Sequence, residues 1–272
     1  MSKQLFQNLF QTPRPVAFVT GSAADRVGRR IAQRCIDAGF CVAIHSHRGE
    51  DASKNYVQAL NEQGHEAILC VGSVEDPTSA IRWLDQIHSR WQRIDLLVNS
   101  AAIWDPKPLE QTTMDDLKRN FEVNAVGLFL TSQHFGLAMT RQLSGGSIVQ
   151  IGDWACIRPY TDFSAYFLAK GTVETLTRSL AVELATRNPK IRVNAVLPGP
   201  VMLDPEISSE LEQQIERQSL LQRAASPEDV ADAVYFLATS PFITGVCLPV
   251  DGGRSIYSGP GTDRCAHPKL DS

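Results

Sequence analysis

No apolar run in this sequence approaches the roughly 18 residues that a membrane-crossing helix requires. No CxxC pair occurs among the six cysteines Cys35, Cys41, Cys70, Cys156, Cys247 and Cys265. Zinc is therefore not expected, and thiols lying within apolar runs read as free and buried. A reducing cytoplasm is the compartment that fits. A surplus of one charge is also missing: 26 Lys and Arg stand against 30 Asp and Glu, for a net charge of -4. With a pI near 5.9, nothing points to nucleic acid or an anionic membrane surface as a partner. The N-terminus, MSKQLFQNLFQTPRP, lacks the continuous apolar core of a signal peptide. Its Leu5, Phe6, Leu9 and Phe10 would line one side of a short helix packed on the body; a disordered arm over residues 1–13 is the alternative.

What is present is enough for one large domain with a sizeable core: 272 residues, 43% of them hydrophobic. Short apolar runs alternate with helix-length amphipathic stretches. Strands are expected at Val16–Thr20, Phe40–Ile44, Ala67–Val71, Ile94–Val98, Ser147–Ile151, Ile191–Val196 and Val246–Val250. Between them lie helical patterns at Arg29–Ala38, Ala52–Gln63, Ser79–Arg90, Met114–Met139 and Ser164–Thr186, with further ones near 206–220 and 227–239. Continuous apolar strands alternating with helices imply an α/β chain, a single-domain Rossmann-type doubly wound parallel sheet of about seven strands. No linker-like composition interrupts it, so residues 14–257 form one domain. The tail 258–272, SGPGTDRCAHPKLDS, is expected to be mobile.

The first strand runs into VTGSAADRVGRRIA, where such folds cradle a pyrophosphate on backbone N–H groups and a helix N-terminus. The spacing is not GxGxxG: Gly21 and Gly28 are present, with Arg26 near the middle-glycine position and Val27 beside it. On this feature alone, nucleotide binding and a plain structural turn both stay open. About 20 residues on, where an NAD site places an acid, the strand ends in AIHSHRGE, with His45, His47 and Arg48. A guanidinium there suits a 2′-phosphate and favours NADPH over NADH; the alternative for Arg48 is a solvated loop cation. His45 and His47 share a strand face, but without a third ligand they read as structural rather than metal-binding.

Further on, DWACIRPYTDFSAYFLAK places Tyr166 and Lys170 one helical turn apart, with the carboxylate of Asp153 ahead of them. Together with VNSAAIW (98–104), NFEVNAVG (120–127), PGP (198–200) and VDGGR (250–254), this order of motifs resembles the short-chain dehydrogenase/reductase family over about residues 15–254. The resemblance implies that Tyr166 gives a proton to the substrate as hydride arrives from a nicotinamide. Lys170 would bind the nicotinamide ribose and lower the phenol's pKa. Asn124 would bend its helix and hold a water of the proton relay. Gly21, Arg26, Val27, Gly28, His47, Arg48, Asn99, Ala101, Pro198 and Gly199 fall on cofactor positions. Ser100 and Ala102 depart from the family pattern, and Ser73 stands where an aspartate usually touches the adenine.

The informative departure is Asp153, which replaces a serine that would donate to a substrate carbonyl. A carboxylate suits N–H donors, or a ring nitrogen that needs a proton. This substitution, Arg26, the His-x-His-Arg sequence 45–48 and an aromatic residue at Trp104 are similar to the pteridine reductases and the bacterial dihydromonapterin/dihydrofolate reductases. Trp104 would stack on the pterin ring; the plainer reading is a hydrophobic plug. For Asp153 the plainer reading is a turn-capping carboxylate. Asp25 beside Arg26 could pair with it and weaken its use for phosphate. Met202 and Leu203 are candidates for substrate contact in the variable segment after Pro198.

Three functions are thus expected in order. The first is an NADPH-dependent reductase of a pterin-like heterocycle, with Asp153, Tyr166, Lys170 and Asn124 as catalytic residues. Next comes a 3-oxoacyl or small-ketone reductase on the same fold, and last a catalytically silent nucleotide-binding protein. The resemblance also implies a homotetramer or homodimer built on the two long helices.

Overall fold

The computed structural model describes residues 2–203 and 207–257. The tail expected to be mobile lies outside the described residues. Seven strands form one sheet: β1 (Val16–Val19), β2 (Cys41–Ser46), β3 (Ala67–Val71), β4 (Leu96–Asn99), β5 (Gly146–Ile151), β6 (Ile191–Pro198) and β7 (Cys247–Val250). Their order is β3-β2-β1-β4-β5-β6-β7, and every neighbouring pair is parallel. Val19 lies opposite Ile44 on one side and Val98 on the other, so apolar residues hold the register at the centre of the sheet.

Because both faces are covered, alternate residues of each strand enter different cores. Ala17, Val19, Val42, Ile44, Leu96 and Val98 meet α2 (Val27–Ala38), α3 (Asp51–Glu62) and α10 (Pro227–Thr239). Phe18, Ala43, Leu97, Ile148 and Val193 meet α4 (Ser79–Trp91), α6 (Gly127–Thr140) and α8 (Thr172–Ala185). Both layers are apolar and closely packed, which is why the strands read as continuous hydrophobic runs.

The N-terminal residues form a packed helix, α1 (Ser2–Phe10), rather than a loose arm. Phe6 and Phe10 are fully buried, their rings 4.8 and 5.9 Å from that of Phe40. Leu5 is left exposed. Arg93 anchors the end of α1 by donating to Phe10 O at 2.6 Å. The same guanidinium pairs with the buried Asp95, which also accepts from Val16 N at 2.8 Å. Ile94 lies outside β4, its N donating to Gln142 Oε1 at 2.9 Å and its O accepting from Gln142 Nε2 at 2.8 Å.

The helix expected over Met114–Met139 is broken. It consists of α5 (Met114–Phe121), a π-helical turn (Glu122–Val126) and α6. Thr113 opens α5 with a capping box to Asp116. The stretch expected as Ser164–Thr186 divides at Gly171 into α7 (Ser164–Lys170) and α8. Helix α9 (Ser209–Arg217) is shorter than the pattern near 206–220 suggests, its N-terminus fixed by Ser208 Oγ accepting from Leu211 N.

The order in which strands are added reverses between β1 and β4, with β2 and β3 on one side of β1 and β4 to β7 on the other, and the C-terminal ends of β1, β4, β5 and β6 share one edge. Open parallel sheets bind ligands in the crevice at such a switch point. The glycine loop, Asn99, Asp153 and Pro198 all follow from these strand ends.

Candidate active site

The turn after β1 is shaped to let another backbone approach. Gly21 has φ of +69°, and a Cβ there would meet Ala101 Cα at 3.0 Å. A Cβ on Gly28 would lie 2.7 Å from Gly21 O. Thr20 Oγ1 accepts from Ser100 N and Ala101 N, at 2.9 and 3.0 Å, and so ties the two loops together. Beneath them His45 is buried. Its Nδ1 accepts from Gly21 N at 2.8 Å, which leaves the proton on Nε2 to be donated to Gly72 O at 2.9 Å. Burial pushes His45 down to about 4, so the ring is neutral and acts as a strut under the glycine loop. Both of its ring nitrogens are engaged by backbone groups, and no cluster of three or more His, Cys, Asp or Glu able to hold a metal occurs among the described residues.

Charge around this turn is distributed differently from one sequence expectation. Asp25 pairs with Arg30 at 3.4 Å, not with its neighbour Arg26. Arg30 also reaches Glu228, at 3.6 Å. Arg26 and Arg48 have no carboxylate partner among the described residues, and both are exposed at the mouth of the crevice. Arg26 stands at the N-cap position of α2 without capping it, and Val27 is the first helical residue. His47 Nδ1 lies 3.3 Å from Ser73 Oγ, which brings the ends of β2 and β3 together. A glycine cradle at a helix N-terminus, beside unpaired guanidinium groups, fits a dinucleotide with its pyrophosphate and phosphate charges.

Asn99 does not face that crevice. Its amide donates to Ser132 Oγ and Gln150 Oε1, both at 2.9 Å, and its oxygen accepts from Thr131 at 2.7 Å. Only its backbone remains for a cofactor. Gly199 permits another close approach: its N donates to Val250 O at 2.8 Å, and a Cβ would meet Asp251 Cα at 2.7 Å. Pro198 ends β6 just before it, and Met202 follows half exposed with φ of +54°.

At the chemical centre, Asp153 follows β5, and its two carboxyl oxygens have different partners. Oδ1 accepts from Ala155 N at 2.8 Å and caps a 3-10 turn, Trp154–Cys156. Oδ2 accepts from the Tyr166 hydroxyl at 2.7 Å. Burial raises the Asp153 carboxyl above its usual range, against the bonds from Ala155 and Tyr166 and the charge of Lys170. Tyr166 is pushed well above the ordinary phenol value, by burial and then by the neighbouring carboxylate.

Lys170 is buried and donates to Ile151 O at 2.8 Å, and its charge acts on Asp153. Desolvation in turn pulls the lysine down.

Asn124 sits in the π-helical turn, a distortion often found at functional sites. Its side chain grips Ile103, accepting from N and donating to O, each at 3.0 Å, and donates to Asn120 Oδ1 at 3.2 Å. The loop carrying Trp104 is thereby fixed. Trp104 is no buried plug, being 55% exposed. One face of its indole stacks on Phe163, with centroids 4.6 Å apart and planes 19° apart. Tyr160 meets Phe163 edge-on at 5.2 Å. Phe163 and Tyr160 were missed from sequence, although RPYTDFSAYF concentrates aromatics just ahead of Tyr166.

Comparison with known proteins agrees with this geometry. The family model described as Enoyl-(Acyl carrier protein) reductase matches residues 21–255. A short-chain type dehydrogenase/reductase of Picea abies is 31% identical over 88% of this chain and 92% of its own length. Pteridine reductase 1 of Leishmania tarentolae is 32% identical over 89% and 96%. 7alpha-hydroxysteroid dehydrogenase of Escherichia coli K12 is 29% identical over 87% and 92%. A solved structure provisionally assigned as a gluconate dehydrogenase of Agrobacterium tumefaciens superposes with a TM-score of 0.82, at 25% identity over 89% of this chain and 96% of that one. The chain belongs to the short-chain dehydrogenase/reductase family, whose members are NAD(P)-dependent oxidoreductases of small molecules. No helix among the described residues is long and apolar enough to cross a membrane.

Proposed function

We propose that this protein is an NADPH-dependent reductase of a flat, pterin-like nitrogen heterocycle. The observation that carries the reading is the hydrogen bond from Tyr166 to Asp153 Oδ2 in a desolvated site. An ionised carboxylate repels a carbonyl oxygen, whereas it accepts from N–H groups and, when protonated, can protonate a ring nitrogen. Burial favours that protonated form.

When bound, the nicotinamide cofactor supplies the hydride that reduces the carbon of a C=N bond. The nitrogen gains the electron pair of that bond and takes its proton from Asp153. The carboxylate left behind meets two donors already aimed at it, Ala155 N–H and the Tyr166 hydroxyl. Lys170 has two ammonium hydrogens without a partner among the described residues, and these would hold the nicotinamide ribose. Asn124 positions the Trp104 loop. Trp104, backed by Phe163, offers an aromatic wall to a flat ring, worth about 0.5–1.5 kcal/mol beyond area burial. Gly21, Val27, Gly28, Ala101, Pro198 and Gly199 would line the cofactor, and Met202 the substrate.

NADPH is preferred because the first carboxylate after β2 is Glu50, while Arg26, His47 and Arg48 stand nearer the strand end. The name of the Leishmania relative agrees with the heterocycle reading. A carbonyl reductase is the second reading. It is favoured by the turn-capping use of Asp153 Oδ1, which would persist with any substrate. Free thiols at Cys35, Cys41 and Cys70 suit a reducing cytoplasm. The exposed Val126, Phe129 and Leu137 around α6, with Val182 on α8, suit assembly into a homotetramer or homodimer.

The test is NADPH oxidation, followed by absorbance, with 7,8-dihydrobiopterin or dihydrofolate against an acetoacetyl thioester. Turnover of either heterocycle is expected; turnover confined to the thioester would overturn the pterin reading.

A further inference from the structure

We infer that Arg254 is a positioning residue that holds the turn carrying Asp153 against the end of helix α9, and so sets where the Asp153 carboxyl stands. The inference rests on the reading of Asp153 as a substrate-facing residue. Arg254 follows β7 in the VDGGR motif and is buried. Its turn is rigidly made: Asp251 accepts from Gly253 N at 2.9 Å and from Ser255 N at 2.7 Å. Gly252 and Gly253 supply the left-handed backbone, with φ of +62° and +80°.

Three parts of the chain meet at this guanidinium. Nη1 donates to Ile215 O and Nη2 to Gln218 Oε1, both at the C-terminal end of α9. There the last carbonyls are poorly satisfied, Ile215 O taking only a 3.3 Å bond from Gln218 N, and the dipole is negative, so a cation is well placed. The planar group also lies over the Trp154 ring, 4.9 Å from its centroid. Trp154 is buried and is the residue next to Asp153, inside the turn that Asp153 caps. Beyond that turn, Arg158 Nη1 returns to the same place by donating to Arg254 O at 2.8 Å and to Tyr257 O.

The tie matters because little else holds α9. None of its residues is buried, so it has no apolar face anchored in the core. Just past the helix, Leu221 N donates to Gly252 O at 3.2 Å, which keeps the segment beside the same turn. A helix held by a few polar contacts belongs to the low-stability end of a fold, where local opening is frequent. Removing the guanidinium takes away two charge-assisted bonds and the ring contact on Trp154 together.

The experiment is amide hydrogen exchange on Arg254→Met and on Gln218→Leu, beside the parent, with substrate kinetics on the same preparations. Exchange in α9 and in residues 154–158 of Arg254→Met is expected to quicken by about tenfold, with α2 and α8 unchanged. Gln218→Leu removes one acceptor and should give a smaller rise confined to α9; it also serves if Arg254→Met proves too unstable to purify. For activity, KM for dihydrobiopterin should rise by about tenfold while KM for NADPH stays within about twofold. Exchange in α9 equal to the parent's, a rise spread evenly over the fold, or a KM change shared equally by NADPH would each overturn the proposal. If the parent does not reduce dihydrobiopterin, the pterin reading fails, and the exchange data still judge the tie.

Discussion

The Tyr166 hydroxyl donates to Asp153 Oδ2 at 2.7 Å, and the contact makes the two side chains one titrating unit. Ionising the phenol would set two negative oxygens side by side in a desolvated site. Tyr166 therefore keeps its proton, and the carboxyl is the group that changes charge. Such a pair is suited to delivering protons in a reduction. It is poorly suited to an oxidation that begins by taking a proton onto the phenolate.

The first consequence concerns substrate class. Asp153→Ser removes the acid and leaves a hydroxyl that donates to a carbonyl. Loss of a positioned general acid should lower kcat for dihydrobiopterin by about 10²–10⁴-fold. Turnover of a thioester ketone should be kept or improved. Parallel assays on both substrates check this, and full heterocycle activity in the serine variant would refute the role of Asp153.

The second is a pH dependence. On the proposed mechanism Asp153 acts in its protonated form, so kcat/KM for the heterocycle should fall as pH rises through its elevated pKa. The same shift acts on stability. A carboxyl whose folded pKa is raised adds stability fully below its unfolded pKa, and loses that contribution as pH rises through the folded one. At pH values above both, the buried charge is a liability. Asp153→Asn should then raise Tm relative to the parent near neutrality, with the gain vanishing in acid. Thermal scans across pH read this out, and a lowered Tm at neutral pH would count against it.

These consequences also show what could be read from sequence. The strand runs were legible because burial on both sheet faces demands continuous apolar residues. Tyr166, Lys170 and Asp153 were legible as a set, since order and spacing place them at the C-terminal edge. The direction of the phenol's shift was not. Which charge dominates depends on distance: Asp153 bonds directly to the phenol, while Lys170 turns to Ile151 O. The resemblance implied a bend at Asn124, but the apolar spacing runs straight through Glu122–Val126 and gave no sign that the bend is a π-helical turn. The partner of Asp25 was misread because Asp25 lies in the turn ahead of α2, where Arg30 from the first turn of the helix reaches it and its sequence neighbour does not.

Cofactor choice gives the third prediction. Arg48 has no carboxylate partner among the described residues, so its charge is free for a phosphate. Arg48→Ala should raise KM for NADPH by about tenfold or more and change that for NADH by less than about threefold. Steady-state kinetics with both cofactors decide it; equal effects would remove the 2′-phosphate role.

A fourth prediction separates stability from catalysis. Phe6 is fully buried against Phe40, far along the chain from the strand-end residues of the cleft. Phe6→Ala should destabilise the protein by about 3–5 kcal/mol, through lost burial and the cavity left behind. Neither KM should move at temperatures where the variant is folded. Denaturant unfolding beside kinetics measures both, and a shift in KM without loss of stability would contradict the assignment of α1 as a structural clasp.

The last concerns His45, which would act on the cofactor without touching it. Its ring accepts from Gly21 N and donates to Gly72 O, so it fixes the turn on which a pyrophosphate would rest. His45→Phe keeps an aromatic ring but leaves both backbone groups unpaired in a buried place. Each unsatisfied group costs about 1–3 kcal/mol, so Tm should fall and the glycine loop should loosen. The Kd for NADPH is then expected to rise by about tenfold, while kcat at saturating cofactor changes little because the Asp153–Tyr166 pair is untouched. His45→Gln, which offers both an acceptor and a donor, should recover part of the affinity. Cofactor titration by fluorescence, with Tm on the same samples, measures both quantities. A phenylalanine variant that binds NADPH like the parent would show that the loop holds its shape without the histidine.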